Sequence, residues 1–365
     1  MQNSEIHLVL VWEKGLNKID QILYDLNSCF DIIDVYKISW NKKYFSNNLS
    51  RFYGQNLKNG SFKEIHCGKG PFTAIIIRQK NPKYSFRETS NGRKKVNTEL
   101  FEKKKIYRNW TGGGHKVHTS NDIKEASQNI FYLTNKKYQE IEFSKLWNGK
   151  VKYLKNDILG FDGWKDFNEL FEFINYTTEY LILRNYSGLL DFNSHIDDID
   201  FLSSDLNFKY HINGIKKNFS KNRAAYYVKV EEKLYNVDIR IVGDNYYDSK
   251  WAKKMVDKRV KHSNNFFIPD KFNEFYSLLY HSLIHKNKFS SRYNDSLKNL
   301  AEINNLKIEP DFFTDQVKLL NFLQKFMKKN GYFYTKPKDF TVQYSYGKKG
   351  VKRYLWELIG KVKNV

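Results

Sequence analysis

Asp197, Asp198 and Asp200 follow the apolar stretch that begins at Tyr180, and Asp238 stands inside the later run YNVDIRIVGD. Side chains alternate faces along a strand, so Asp198 and Asp200 leave on one face while Ile199 and Phe201 enter a core. Asp238, between Val237 and Ile239, leaves its own strand in the same way. Pairing of the two strands would bring Asp198, Asp200 and Asp238 to one place. Three anions that close repel one another. A divalent cation with oxygen ligands, Mg²⁺ or Mn²⁺, relieves that repulsion and bridges to substrate phosphates. In this arrangement Asp198 and Asp200 bind the metal, while Asp238 completes the metal site or acts as base toward an acceptor hydroxyl. Arg240 shares the face of Asp238, and Arg184 precedes the Ser187-Gly188 pair. Either guanidinium can grip a phosphate bidentately, or form a salt bridge to the acids instead.

A second group surrounds His118 in the segment HKVHTSND. A neutral imidazole is a good nucleophile toward phosphorus near neutral pH, and the alternative is a hydrogen-bonded histidine at a helix start. Gly112-Gly113-Gly114 is a flexible turn rather than a phosphate cradle, since no Gly-Lys-Ser/Thr follows it. His281 and His285 have the i, i+4 spacing of metal ligands. No third ligand is apparent, which favours packing.

The elements that must position these residues follow from periodicity. Ile6–Trp12, Ile32–Trp40 and Thr73–Arg78 read as strands, and Asn17–Phe30 has apolar residues at helical spacing. That order of strands and helices predicts a ferredoxin-like α/β unit. Residues 80–105 are polar and basic, which predicts a long surface loop. Ser120, Asn121 and Asp122 are N-cap residues for a helix carrying Ala126, Ile130 and Leu133. The polar, glycine-bearing interval near 140–160 predicts a domain junction. Asp166–Tyr176 is an amphipathic helix leading into the strand Tyr180–Leu183, and Ala225–Val230 alternates as a strand. Lys271–Leu297 and 311–328 are helical, and the basic, aromatic tail after Phe340 predicts a strand and then a helix.

Two resemblances follow from these residues. The Ser187-Gly188 pair, the Asp-x-Asp of Asp198 and Asp200, and the later Asp238 resemble the nucleotidyltransferase fold. Within it, Tyr186–Leu190 followed by Ile196-Asp197-Asp198-Ile199-Asp200 is similar to the LicD/fukutin branch, whose pattern is Tyr-Gly-Thr-Leu-Leu ahead of Asp-Asp-Asp-Ile-Asp. That resemblance implies Mg²⁺-dependent transfer of a phospho-alcohol, phospho-alditol or phosphocholine, from a CDP-activated donor to a sugar. It also implies that Ser187 and Gly188 bring backbone N–H groups to the donor phosphates. This chain has His195-Ile196 where the family has Pro-Trp, and lacks the first Asp of the triplet.

From about Ile6 to Leu133 the chain resembles nucleoside diphosphate kinase. The matching features are the first strand, Gly70-Pro71 after Cys67, and His118-Thr119-Ser120-Asn121 ahead of Glu125-Ala126. By position His118 would be the phosphoryl-carrying nucleophile, with Tyr53, Arg87 and Arg108 around the phosphates. The family's lysine after the first strand is Trp12 here, its asparagine before the histidine is His115, and its orienting glutamate is Asn129. These departures imply a degenerate domain that binds a nucleotide, an acceptor or a partner.

The expected organisation is therefore α/β: a nucleoside-diphosphate-kinase-like ferredoxin domain over 1–145, a nucleotidyltransferase-like mixed sheet over 160–262, and a helical C-terminal subdomain over 263–365. Aromatics at 17% place the chain of 365 residues far from a disordered composition. The net charge of +22 favours polyanionic partners, though an AT-rich genome that favours Lys and Asn codons accounts for it equally. Its even spread along the chain weighs against nucleic acid. Two cysteines argue against a disulfide scaffold. No signal-peptide pattern or run of about twenty apolar residues is present, which points to the cytoplasm. Lys348, Lys349, Lys352 and Arg353 in the tail suit peripheral contact with an anionic membrane face. The expected partners are a nucleotide or nucleotide-activated donor and a glycan or lipid-linked acceptor. The same acids would equally serve nucleotidyl transfer from an NTP to a small molecule, protein or RNA. A phosphotransferase working through His118 and a non-catalytic nucleotide- or RNA-binding protein are the further alternatives.

Overall fold

The computed structural model describes residues 4–89, 92–184, 186, 189, 198–217, 224–286, 293–308 and 312–345. The chain divides into two units of mixed α and β structure, Met1–Asp162 and Gly163–Val365.

In the first unit the apolar run IHLVLVW becomes β1 (Ser4–Val11), buried from Glu5 onward. α1 (Ile19–Cys29), β2 (Asp31–Ile38), α2 (Phe45–Tyr53), α3 (Phe62–Cys67) and β3 (Phe72–Lys80) follow. Next come the antiparallel hairpin of β4 (Tyr84–Thr89) and β5 (Gly92–Asn97), then α4 (Thr98–Trp110), β6 (Val117–Thr119), α5 (Ile123–Thr134) and β7 (Val151–Leu154). The sheet runs β6-β1-β3-β2-β7, with antiparallel pairs throughout except β2 with β7. Its first four members have the split βαβ order of a ferredoxin-like unit. α1 and α4 cover one face, where Ile22, Leu26, Leu100 and Tyr107 share a core with Val9, Val11, Ile75 and Ile77.

Residues 80–105 are thus not a loop. β4 and β5 pair Phe86 with Lys95 and Arg87 with Lys94, and Asn97 caps α4 by accepting from the Leu100 N–H at 3.1 Å. The first unit also runs past 145, because β7 pairs in parallel with β2 and extends its sheet.

In the second unit Asp166 caps α6 (Phe167–Thr177), accepting from the Glu169 N–H at 2.8 Å. β8 (Tyr180–Ile182), β9 (Ile199–Ser203), the short α7 (Phe208–His211), β10 (Ile215–Lys216), β11 (Ala225–Val230) and β12 (Lys233–Ile241) follow. Their order is β10-β11-β12-β9-β8, a mixed sheet in which β12 and β9 are parallel. One face carries Ile199 and Phe201, the latter packed on Tyr180 and Phe208. The other face carries Leu181, Leu183 and Leu202. They share a core with α8 (Ser249–Asp257), α9 (Lys271–Ile284), α10 (Asn294–Ile303) and α11 (Gln316–Asn330). The C-terminal helices are therefore one layer of this unit, because they cover the second face of its sheet. The basic tail from 346, and with it Lys348, Lys349, Lys352 and Arg353, lies outside the described residues. Among those described, no helix is long and apolar enough to cross a membrane.

Candidate functional site

The two acidic strands are direct neighbours. Asp238 of β12 stands opposite Asp200 of β9 in a parallel register that begins at Val237 and Ile199. Ile199, Val237 and Ile239 anchor these strands in the core, so the two carboxylates leave together on the face shared with the helices. Asp200 is 7% exposed, whereas the Asp238 side chain keeps about a third of its surface (32%). Arg184, just after β8, donates from Nη2 to Asp200 Oδ1 at 2.9 Å. Arg240 donates from Nη2 to Asp238 Oδ2 at 2.9 Å and from Nη1 to Asp339 Oδ2 at 3.0 Å. The salt-bridge alternative for both arginines is therefore what the structure contains.

A turn after β12 brings Tyr246 over this cluster. Asp244 accepts from the Ile241 and Tyr246 N–H groups, and Gly243 supplies a φ of +94°. The Tyr246 hydroxyl accepts from Arg184 Nη2 at 3.1 Å, and its ring lies 4.4 Å from Arg240 Cζ. Burial opposes the charge on Arg184, but Asp200 and Tyr246 outweigh it and hold the group above the usual arginine range. Arg240 behaves alike: burial opposes its charge, and Tyr246, Asp238, Asp200 and Asp339 more than restore it. Three carboxylates against two guanidiniums leave this cluster one negative charge, before Asp198 is counted.

Asp198 is exposed and lies one residue ahead of the first paired position, Ile199. Among the described residues no group of three His, Cys, Asp or Glu side chains is placed to hold a metal ion. The expected three-carboxylate convergence thus reduces to two, because strand pairing constrains only Asp200 and Asp238. Two suffice for one class of ion: Mg²⁺ is commonly held by one or two carboxylates together with substrate phosphates. Each of the two has one oxygen engaged by arginine among the described residues. Carboxylate oxygens are the ligand type a hard cation such as Mg²⁺ takes. Ser187, Gly188 and Asp197 lie outside the described residues.

In the first unit, β6 places His118 against α2 and α5. His118 is 7% exposed, its Nε2 lies 2.9 Å from Asn129 Nδ2, and its ring packs edge-on to Phe52 and Tyr53. Burial first, then Lys104, Arg108 and Lys63, push its pKa well below 6.5, so the imidazole is neutral. Lys63 lies over the Tyr53 ring at 4.1 Å, and Arg108 donates from Nε to the Val117 carbonyl at 3.0 Å. Arg87 is elsewhere: it sits on β4 beside Glu102, and among the described residues no contact ties it to His118. Trp12 is fully buried among Trp40, Phe45, Phe52, Tyr53 and Phe72, and its Nε1 donates to the Tyr53 hydroxyl. An aromatic cluster thus fills the position where the resemblance places a lysine. His281 and His285 are buried beside Tyr246, the first with Nδ1 2.9 Å from the tyrosine hydroxyl.

Several residues here were not evident beforehand. Glu125 brings Oε1 to 3.7 Å from His118 Nε2, and its i, i+4 spacing from Asn129 on a capped helix could have shown it. Tyr246, Asp339, Lys63 and Lys104 carry no motif. A cleft of about 410 Å³ lined by Gln79, Lys83, Glu99 and Lys103 belongs to neither group.

No family model matches the chain, and no curated protein matches it. Among solved structures, nucleoside diphosphate kinase from Aquifex aeolicus aligns at 14% identity and a TM-score of 0.27, covering 38% of this chain and 99% of that one. A nucleoside diphosphate kinase family protein from Babesia bovis aligns at 14% identity and a TM-score of 0.23, covering 40% and 94%. TM-scores this low establish no shared fold.

Proposed function

We propose that the second unit is a nucleotidyltransferase-type site that transfers a phosphorus-containing group from a nucleotide-activated donor, with Mg²⁺ held by Asp200 and Asp238. The observation that carries this reading is the direct opposition of those two acids on parallel strands, each tied to a buried arginine. The ion would neutralise charge on the donor diphosphate. Arg184 and Arg240, held in place by the acids and Tyr246, would turn their positive charge toward the donor phosphates and orient the donor. Asp238, the more accessible acid, either completes the metal site or takes the proton from the acceptor hydroxyl. Such chemistry depends on in-line positioning and charge neutralisation.

The segment Tyr186–Asp200 supports a finer reading: a CDP-linked alditol or choline as donor and a glycan or lipid-linked precursor as acceptor. The products discriminate. Phospho-alcohol transfer from CDP-ribitol, CDP-glycerol or CDP-choline releases CMP, whereas nucleotidyl transfer from an NTP releases pyrophosphate. Expected is Mg²⁺-dependent CMP release that Asp238→Asn lowers at least a hundredfold, the usual worth of a general base. Pyrophosphate release alone would favour the NTP reaction. Neither product, with or without acceptor extract, would sink both.

A second reading rests on His118, a neutral buried imidazole with Asn129 at 2.9 Å, Glu125 at 3.7 Å and three cations near it. It would carry a phosphoryl group. Incubation with labelled NTP should then leave an acid-labile, base-stable label that His118→Ala abolishes, and an unlabelled wild type would refute it.

A further inference from the structure

Tyr246 touches both Arg184 and Arg240 through different parts of its side chain, the hydroxyl for the first and the ring for the second. An arginine only donates, so the tyrosine oxygen is the acceptor in its bond to Arg184. The same hydroxyl lies 2.9 Å from His281 Nδ1, within hydrogen-bond distance. A connected network results: Arg184 donates to Asp200 and to the Tyr246 hydroxyl, which in turn is hydrogen-bonded to His281. The ring packs on His285 and Tyr247, with centroids at 3.9 and 4.9 Å, and only 2% of the residue is exposed. The tyrosine is therefore itself held.

We propose that Tyr246 is a positioning residue that sets the two guanidiniums as one preorganised pair, so that a donor diphosphate meets both at a fixed separation. This rests on the proposed function of the site. Two free arginines would have to lose rotamer freedom when the ligand arrives, and a shared scaffold removes that cost in advance. A tyrosine serving only as core needs its ring but not the bond to Arg184, so the two roles separate experimentally.

The test is calorimetric titration of Mg²⁺ with CDP and with CTP into wild type, Y246F, Y246L, R184K and the Y246F/R184K double variant, with melting temperatures alongside. Y246F should weaken binding about tenfold, the worth of one hydrogen bond to a charged group, while the protein stays folded at the titration temperature, which the melting curves check. The double variant should bind no more weakly than R184K, since the hydroxyl acts through Arg184. Y246L should bind more weakly than Y246F, because Arg240 then also loses its support. Wild-type affinity in Y246F, or additive losses in the double variant, would overturn the positioning role. If D200N abolishes binding while Y246F leaves it intact, the site reading stands and only this inference falls. If wild type binds neither nucleotide, the site reading falls and the inference with it.

Discussion

Asp200 and Asp238 face each other, yet their surroundings assign them different duties. Asp200 is buried against Arg184, so its removal strands a buried cation, a change that costs about 3–5 kcal/mol. Asp238 is partly exposed, and its partner Arg240 keeps Asp339. Asp200→Ala should therefore lower the urea-unfolding free energy markedly, and Asp238→Ala by about 1 kcal/mol or less, as for a solvent-screened pair. Equal losses would contradict the assignment. The carboxylates themselves were legible, because period-two alternation puts each between apolar neighbours. Their arginine partners were legible only as alternatives, since a sequence does not say whether a cation faces an acid or a ligand. Asp339 was not legible at all: it meets Arg240 from 99 residues away, out of a loop.

Elements tell the same story with different failures. Strong apolar periods gave β1, β2, β3, β11 and α6 within a residue or two of their observed ends. The hairpin of β4 and β5 was missed because its charged strands hide the alternation, although Asn91-Gly92 is a hairpin dipeptide. α4 was missed because Glu102–Lys105 conceals the apolar spacing of Leu100, Phe101 and Tyr107. Asp166 accepts from the Glu169 N–H at the start of α6, so Asp166→Ala should cost about 1 kcal/mol in urea unfolding, and no change would remove its capping role. The turn after α3 is less forgiving. Gly68 has φ +80° and ψ 176°, which only glycine adopts readily, and a Cβ there would run into the Glu13 carboxylate that accepts from the Gly70 N–H. Gly68→Ala should destabilise by about 1–3 kcal/mol. A neutral substitution would show that this turn can relax.

For the whole molecule, stability should be acid-sensitive well above the carboxylate range. His7, His118, His281 and His285 are buried, and burial is the leading cause that lowers each pKa below 6.5. A histidine depressed in the folded state gives stability that is present above its unfolded pKa of about 6.5 and is lost as pH falls below it. Each should contribute a slope of about 1.4 kcal/mol per pH unit in that window. Urea unfolding at pH 7.5, 6.5 and 5.5 should show the loss, and His285→Asn should reduce the slope by that one histidine's share. A flat profile would mean that these rings protonate without cost in place. Three domains with a junction near 140–160 were expected, whereas the chain divides into two units between Asp162 and Gly163. The difference arises because β7 is only four residues long, too short to announce a strand, and because the C-terminal helices share one core with the second sheet.

If Asp200 and Asp238 form a nucleotide site that depends on a divalent cation, bound nucleotide must stabilise the fold through them. The deciding measurement is a thermal-shift panel with CDP-ribitol, CDP-glycerol, CDP-choline and the four NTPs, with and without Mg²⁺. Wild type would be run beside D200N/D238N and H118A. Expected is a rise in melting temperature that needs Mg²⁺, survives H118A and disappears in D200N/D238N. A rise that survives D200N/D238N and disappears in H118A would place the chemistry in the first unit and contradict the proposed site.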